Sequence, residues 1–307
     1  MILRNLRYLT ALAREKHFAR AAAACDVTQP ALSAGIKQLE EELDLLIVRR
    51  GQRFEGLTAE GERVLEWARR ILTDYESLQQ EASELRAGLT GRLRIGAIPT
   101  TLPMVSLLTT PFAQQHPHVT ITVLSLTSID IQRGLDDFSL DAGLTYLDNE
   151  PLANVRTLAL YLERYFLFTP ASSPLAMRDT VSWAEVARLP LCLLTPDMQN
   201  RRILDAHFAK ARVEVRPSVE TNSVLTLWSH LRSGQWSSVL PQTFLSLFGQ
   251  PEGLRAIPLE GPRTRQTVGV VIPDREPLTP SARELARIVK DLDVAAALEE
   301  RASATGD

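Results

Sequence analysis

Gln29, Ser33 and Lys37 recur at i, i+4 and i+8, which places them on one stripe of a helix. A glutamine amide pairs bidentately with adenine, and a lysine ammonium reaches guanine or a phosphate, so the stripe has the chemistry to read a major groove. Thr28 precedes it as an N-cap and Pro30 occupies the first helical turn. Arg49, Arg50 and Arg53 follow in a short turn, three guanidinium groups suited to phosphates or a minor groove. An ordinary solvated helix face shows the same polar stripe, and spacing alone leaves both readings open.

A second set consists of hydroxyls and amides. Thr100, Thr101, Thr127, Ser128, Thr145, Thr195, Gln199, Asn200 and Asn222 each follow closely on a strand-like run. In open α/β sheets ligands sit beyond the carboxyl ends of strands, where such donors suit a small carboxylate or oxyanion. Arg201 and Arg202 supply charge there if they turn inward. Each hydroxyl taken singly is as good a helix cap as a ligand contact. No GxGxxG, P-loop, GxSxG or HExxH pattern occurs, so neither catalytic residues nor a cofactor is expected. The five histidines and the widely separated Cys25 and Cys192 offer no metal-ligand spacing; His116-Pro117-His118 reads as a solvated turn.

The elements that must position these groups fall into two patterns. Leu3, Leu6, Leu9 and Leu12, the alanines of 19–24, and Ala31, Leu32, Ile36 and Leu39 form the faces of three short helices, with a break at Asp26-Val27-Thr28. The second helix of that helix-turn-helix is read over Thr28–Leu39, and Glu40, Glu41 and Glu42 are expected to turn away from DNA. From Thr58 to Ala87 runs a longer helix with Val64, Ala68, Ile71, Tyr75, Leu78, Ala82 and Leu85 spaced by fours and threes, an a/d seam that asks for a second copy. Beyond Gly91, strands and helices alternate, which implies parallel sheets from βαβ units; Val213–Val219 is one of the expected strands.

The bulk properties agree with two domains. The chain has 307 residues, 45% hydrophobic and 23% charged, ordinary for a folded protein. Its net charge of −3 excludes a chain-wide basic field, so any DNA contact must come from a local patch. No leader and no apolar run near the roughly 20 residues of a membrane span is found, which places the expected site of action in the cytoplasm.

Phe18-Ala19-Arg20-Ala21-Ala22, Thr28-Gln29-Pro30-Ala31-Leu32-Ser33, Ile36 to Leu43 and Leu57-Thr58-Ala59-Glu60-Gly61, in this order, resemble the winged helix-turn-helix of LysR-type transcriptional regulators. Leu93-Arg94-Ile95-Gly96, Leu140-Asp141-Ala142-Gly143-Leu144 and Val239-Leu240-Pro241 resemble their effector-binding part. The resemblance implies an α/β fold class: a winged helix-turn-helix (1–58), a dimerisation helix and hinge (59–91), and two Rossmann-like subdomains of the type 2 periplasmic-binding-protein kind (92–307). Subdomain I would be 92–162 plus 265–307, and subdomain II 163–264. It further implies a homodimer or homotetramer on a pseudo-palindromic double-stranded operator, a small-molecule effector, and RNA polymerase as a further partner. The run Leu9–Phe18 resembles regulators found with formate dehydrogenase operons, which makes formate a candidate effector. Three departures stand out: His17 where the family usually has Ser, Ala34-Gly35 where Arg-Gln is common, and Trp236 in a stretch that is often glycine-rich. A cytosolic solute-binding module or an enzyme on the two-lobed fold is the alternative, but it leaves the wing and the heptad helix without a role.

Overall fold

Helix α1 (Ile2–Glu15) turns Leu6, Leu9 and Leu12 inward against Ala21 and Ala22 of α2 (Phe18–Ala24) and Leu32, Ile36 and Leu39 of α3 (Gln29–Leu43). The structure is a computed structural model; it describes residues 2–50, 54–249, 252–260 and 265–294, and it divides into two units, Met1–Leu89 and Thr90–Asp307.

Small residues set how closely the first unit's helices approach. A Cβ on Gly35 would stand 2.6 Å from the Tyr8 ring, so the departure at Ala34-Gly35 lets α3 lie directly on α1. His17 caps α2, its Nδ1 accepting from the Ala19 N–H. Helix α3 continues one turn beyond the expected Leu39 and stops at Asp44, which takes the left-handed conformation. Strands β1 (Val48–Arg50) and β2 (Phe54–Leu57) form the antiparallel wing. Thr58 caps α4 (Ala59–Ala87), accepting from Gly61 N–H at 2.8 Å and donating to the Leu46 carbonyl at 2.6 Å.

In the second unit, β3 (Gly91–Ala97) is followed by a 3-10 turn (Pro99–Thr101), α5 (Leu102–Gln115), β4 (Val119–Ser125), α6 (Ser128–Asp136) and β5 (Ala142–Tyr146). Strand β3 pairs in parallel with β4 and β5, and Asp141 ties the start of β5 to β3 by accepting the Arg94 N–H and its guanidinium at 2.8–3.0 Å. The 16-residue β6 (Val155–Pro170) comes next, then α7 (Trp183–Val186), β7 (Cys192–Leu194), α8 (Gln199–Lys210), β8 (Val219–Thr221), α9 (Val224–Arg232), β9 (Ser238–Pro241), α10 (Thr243–Phe248), β10 (Leu254–Pro258), β11 (Arg265–Pro273) and α11 (Pro280–Asp291).

Strand β6 changes partners midway. Up to Arg164 it pairs with β11, and from Tyr165 onward with β9 and β10. These pairings are antiparallel, so the expected all-parallel sheets give way to a mixed one, ordered β10-β6-β11-β5-β3-β4. Residues 213–218 are not a strand; the backbone is irregular until Val219, consistent with Pro217 lacking a donor for a ladder. Trp236 packs against the core of Phe168, Trp228 and Phe244 beside His230, so it fills space between α9 and β9.

Candidate nucleic-acid interface and ligand cleft

Helix α3 presents Gln29, Pro30 and Lys37 to solvent, with Ser33 half-buried between them. Thr28 is exposed at the cap and accepts from the Ala31 N–H at 3.4 Å. The three acids after this stripe do not share one orientation. Glu40 is buried and accepts the N–H groups of Ile47 and Val48 at 2.9 and 3.1 Å, tying the end of α3 to the first wing strand. Glu42 accepts from Gln38. Glu41 corrects the expectation that all three turn away: it pairs with Lys37 at 3.4 Å, because an i+4 acid lies on the same stripe. That pair is exposed and weak, so a phosphate competes with it readily. Arg49 is exposed on β1, Arg50 ends that strand, and Arg53 lies outside the described residues.

Helix α4 has two apolar faces. Leu65, Ala68 and Leu72 close the core of their own unit, and Val64 packs against it. Ala68 is fully buried and Val64 is engaged there, so neither belongs to a seam offered to another chain. Tyr75 is half-buried and Ala82 exposed, while Ile71, Leu78 and Leu85 are 41%, 64% and 83% exposed.

In the second unit the start of α8 meets the end of β5. Thr145 Oγ1 donates to Gln199 Oε1 at 3.0 Å, and Gln199 Nε2 donates to the Asn149 carbonyl. The Tyr146 hydroxyl is the hub, within 3.1 Å of Asn200 Nδ2, 3.2 Å of Thr100 Oγ1 and 3.3 Å of the Tyr165 hydroxyl. Thr145 thus meets Gln199, Thr100 and Asn200 meet at the Tyr146 hydroxyl, and all four are buried. Thr101 bonds inward to the Ile98 carbonyl at 2.9 Å. Thr195 Oγ1 is buried without a hydrogen-bond partner. Thr127 caps α6, and Ser128 accepts from Arg202 on α8. Asn222 is exposed and takes no part in this group, because it lies in the solvated turn before α9.

The cationic side of the expectation does not hold. Arg201 donates to Asp205 and Glu220 at 2.9 and 2.6 Å, and Arg202 to Glu150 at 2.6 Å, so both guanidinium groups are held by carboxylates. What remains for an anion is the start of α8, which has no side-chain cap; at the start of α5 the Leu102 N–H already donates to the Pro99 carbonyl and Pro103 has no N–H.

Sequence reasoning missed an acid. Glu163 on β6 is completely buried, and its Oε1 accepts from the Tyr146 hydroxyl at 2.5 Å. Burial pushes its carboxyl up to about 8, against a smaller opposing effect from the hydrogen bond of Tyr146. Burial likewise raises the hydroxyls of Tyr146, Tyr161 and Tyr165 above the ordinary tyrosine value. The available signal was the alternation Tyr161, Glu163, Tyr165, which puts an acid on the buried face of a strand. Among the described residues no His, Cys, Asp and Glu group could hold a metal. Nor is any described helix long and apolar enough to cross a membrane.

Two family models match the chain: a bacterial regulatory helix-turn-helix protein of the lysR family over residues 3–62, and a LysR substrate binding domain over residues 86–293. The DNA-binding transcriptional dual regulator OxyR of Escherichia coli (strain K12) is 28% identical over 291 residues, covering 94% of this chain and 95% of that one. The hydrogen peroxide-inducible genes activator of Escherichia coli O6:H1 matches equally, 28% over 291 residues with the same coverage. A full-length OxyR variant from Pseudomonas aeruginosa superposes with a TM-score of 0.74 at 27% identity, covering 96% of each chain.

Proposed function

The chain belongs to the LysR family of bacterial transcriptional regulators, and from that premise we propose how its residues divide the work. Gln29, Ser33 and Lys37 read base edges in the major groove, with Thr28 and Pro30 setting the helix start. Arg49, Arg50 and Arg53 hold phosphates or the adjacent minor groove. The observation that carries this reading is the α3 stripe with exposed Gln29 and Lys37, on a helix tied to the wing through buried Glu40.

The second half of α4 joins two copies through Ile71, Tyr75, Leu78, Ala82 and Leu85, which gives a two-fold assembly for a pseudo-palindromic double-stranded operator. A further contact between effector units makes the homotetramer. The outer edge of β4, with exposed Val123 and Leu124, supports that contact, since an apolar sheet edge invites pairing. The protein acts in the cytoplasm, where RNA polymerase is its further partner.

The effector is a small carboxylate, formate among the candidates, seated beside Thr100, Thr145, Gln199 and Asn200 at the uncapped start of α8. Thr101, Thr127, Ser128 and Thr195 border that place; Asn222 is not part of it. The curated relatives' names point to hydrogen peroxide, but a peroxide-reactive thiol must be an accessible thiolate. Burial raises the Cys192 thiol to about 11, and it raises Cys25 as well, so this chain responds through its polar seam rather than through a thiol.

A nuclease footprint on the DNA upstream of the protein's own gene, with and without formate and acetate, tests the reading. A protected region whose extent changes with the carboxylate supports it. No protection at low salt refutes the DNA face, and an unchanged pattern refutes these two ligands. Replacing Leu78 and Leu85 by Glu should leave a folded monomer with a half-length footprint.

A further inference from the structure

Arg201 and Arg202 are neighbours in the first turn of α8, and the carboxylates they hold differ in origin. Arg201 is buried and donates to the Leu194 carbonyl, Asp205 and Glu220, all on the lobe of β7, β8 and α8 itself. Arg202 reaches across to the other lobe. Its Nε and Nη2 donate to the two oxygens of Glu150 at 2.6 and 2.5 Å, a bidentate pair with a residue that follows β5, in the sheet of β3, β4 and β11. Nη2 also donates to Ser128 Oγ at the start of α6, while Nη1 is anchored at home on the carbonyls of Pro196 and Asp197.

The other side-chain bonds from this turn to β5, Thr145 to Gln199 and Asn200 to Tyr146, are buried and neutral. The ion pair is wetter, with the Arg202 side chain 29% and that of Glu150 42% exposed. Water at both partners keeps such a pair weak, so it is open to exchange. Glu150 also holds its place from left-handed backbone, φ 52°, which a residue other than glycine rarely takes. A guanidinium fixed by two carbonyls thus presents a fork that fits a carboxylate, and the chain fills the fork with a carboxylate of its own. Replacing one carboxylate by another needs no cavity, because the incoming group takes the room that Glu150 gives up.

We propose that Glu150 is a tethered stand-in for the effector's carboxylate: it occupies Arg202 until a free carboxylate replaces it, and its release unfastens the two lobes at that edge. This rests on the carboxylate reading of the start of α8 and adds to it an anchor, Arg202, and a built-in competitor, Glu150. The ligand and Glu150 cannot share one guanidinium fork. That exclusion supplies the differential affinity for two states without which no ligand shifts a conformational equilibrium.

Calorimetry on the full-length protein, with formate and acetate as probes, compares the wild type with Glu150→Ala, Arg202→Gln and Asp197→Ala. Glu150→Ala should bind at least one probe about tenfold more tightly than the wild type, and binding by Glu150→Ala where the wild type shows none is the same result in stronger form. Arg202→Gln should bind neither probe. Asp197 acts on Arg202 through its charge, and only its backbone carbonyl accepts from it, so Asp197→Ala removes one negative charge without freeing the fork and should change affinity by less than about twofold. With no carboxylate added, the footprint of Glu150→Ala should already show the change that the carboxylate produces in the wild type. Wild-type affinity in Glu150→Ala, an equal gain in Asp197→Ala, persistent binding by Arg202→Gln, or a wild-type footprint for Glu150→Ala each overturns the assignment and leaves the carboxylate seat standing. Failure of both probes to bind either the wild type or Glu150→Ala overturns both.

Discussion

Replacing Glu40 by Ala removes the carboxylate that accepts the N–H groups of Ile47 and Val48 at 2.9 and 3.1 Å. Both residues are buried, and neither amide gains water when the acceptor disappears. An unpaired buried donor costs about 1–3 kcal/mol, so two cost about 2–6 kcal/mol, against typical domain stabilities of about 5–15 kcal/mol. Glu40→Gln keeps an acceptor oxygen and loses only the charge assistance, about 1–2 kcal/mol. Urea denaturation of both variants measures the difference. The functional consequence follows from what the bond fixes: the end of α3 is tied to β1, which carries Arg49. Under conditions where Glu40→Ala remains folded, its affinity for operator and for random duplex should fall together, because wing contacts go to phosphates. Equal stability of the Ala and Gln variants, or a loss confined to the operator, would refute the reasoning.

Three further outcomes are expected. Gly61→Ala puts a Cβ 2.1 Å from the Ile47 carbonyl oxygen, a backbone atom that cannot step aside, so the melting temperature should fall by several degrees; an unchanged melting curve would show that α4 can slide. Hydrogen peroxide at millimolar concentration should leave Cys192 unmodified by intact mass and DNA affinity unchanged, since its thiol is raised to about 11 by burial. The folded protein holds a proton on Glu163 up to about 8, whereas the unfolded chain releases it near 4.5. Stability from that proton is therefore complete below 4.5 and is lost as pH rises towards 8, on the order of 1 kcal/mol per pH unit. Glu163→Gln lacks this slope, so the two denaturation midpoints should diverge between pH 5 and 8; parallel profiles would mean the carboxyl is ionised when buried.

The DNA-reading half was legible because its constraints are local. A cap at Thr28, a proline in the first turn, and an i, i+4, i+8 stripe are written within ten residues, and α3 follows them. Glu40 was misjudged with its neighbours because three consecutive acids look alike in sequence, while helix geometry sends one inward, one to Lys37 and one to Gln38. In the second unit the strand ends were readable; of the hydroxyls and amides read after them, Thr145 meets Gln199 and Thr100 and Asn200 meet at Tyr146, while Asn222 stands apart. The mixed sheet was not, since antiparallel β11 returns from about a hundred residues away to lie between β5 and β6. Glu163 escaped for the same reason: its partner Tyr146 comes from another strand and is itself held by Thr100 and Asn200, and only the period-two pattern of Tyr161, Glu163 and Tyr165 hinted at its burial.

Helix α4 shows how one periodicity can conceal two jobs. The run of fours and threes from Val64 to Leu85 counts as a single seam in sequence, but its first part is turned to the core of its own unit. Leu65, Ala68 and Leu72 follow the spacing of a helix packed on a globular core, and beyond Leu72 no residue of α4 belongs to that core. Ile71, Leu78 and Leu85 follow instead at intervals of seven, increasingly exposed along the helix. A side chain that served only the local fold would have no reason to keep the seven-residue interval after the core ends. The persistence of that interval over exposed leucines is what favours a second copy of the chain as the partner. It also predicts where the partner's contact begins, at Ile71 and not at Val64. Charge reversal at position 78 or 85 should therefore separate the copies without unfolding the helix-turn-helix, whereas a charge at Ala68 should unfold it.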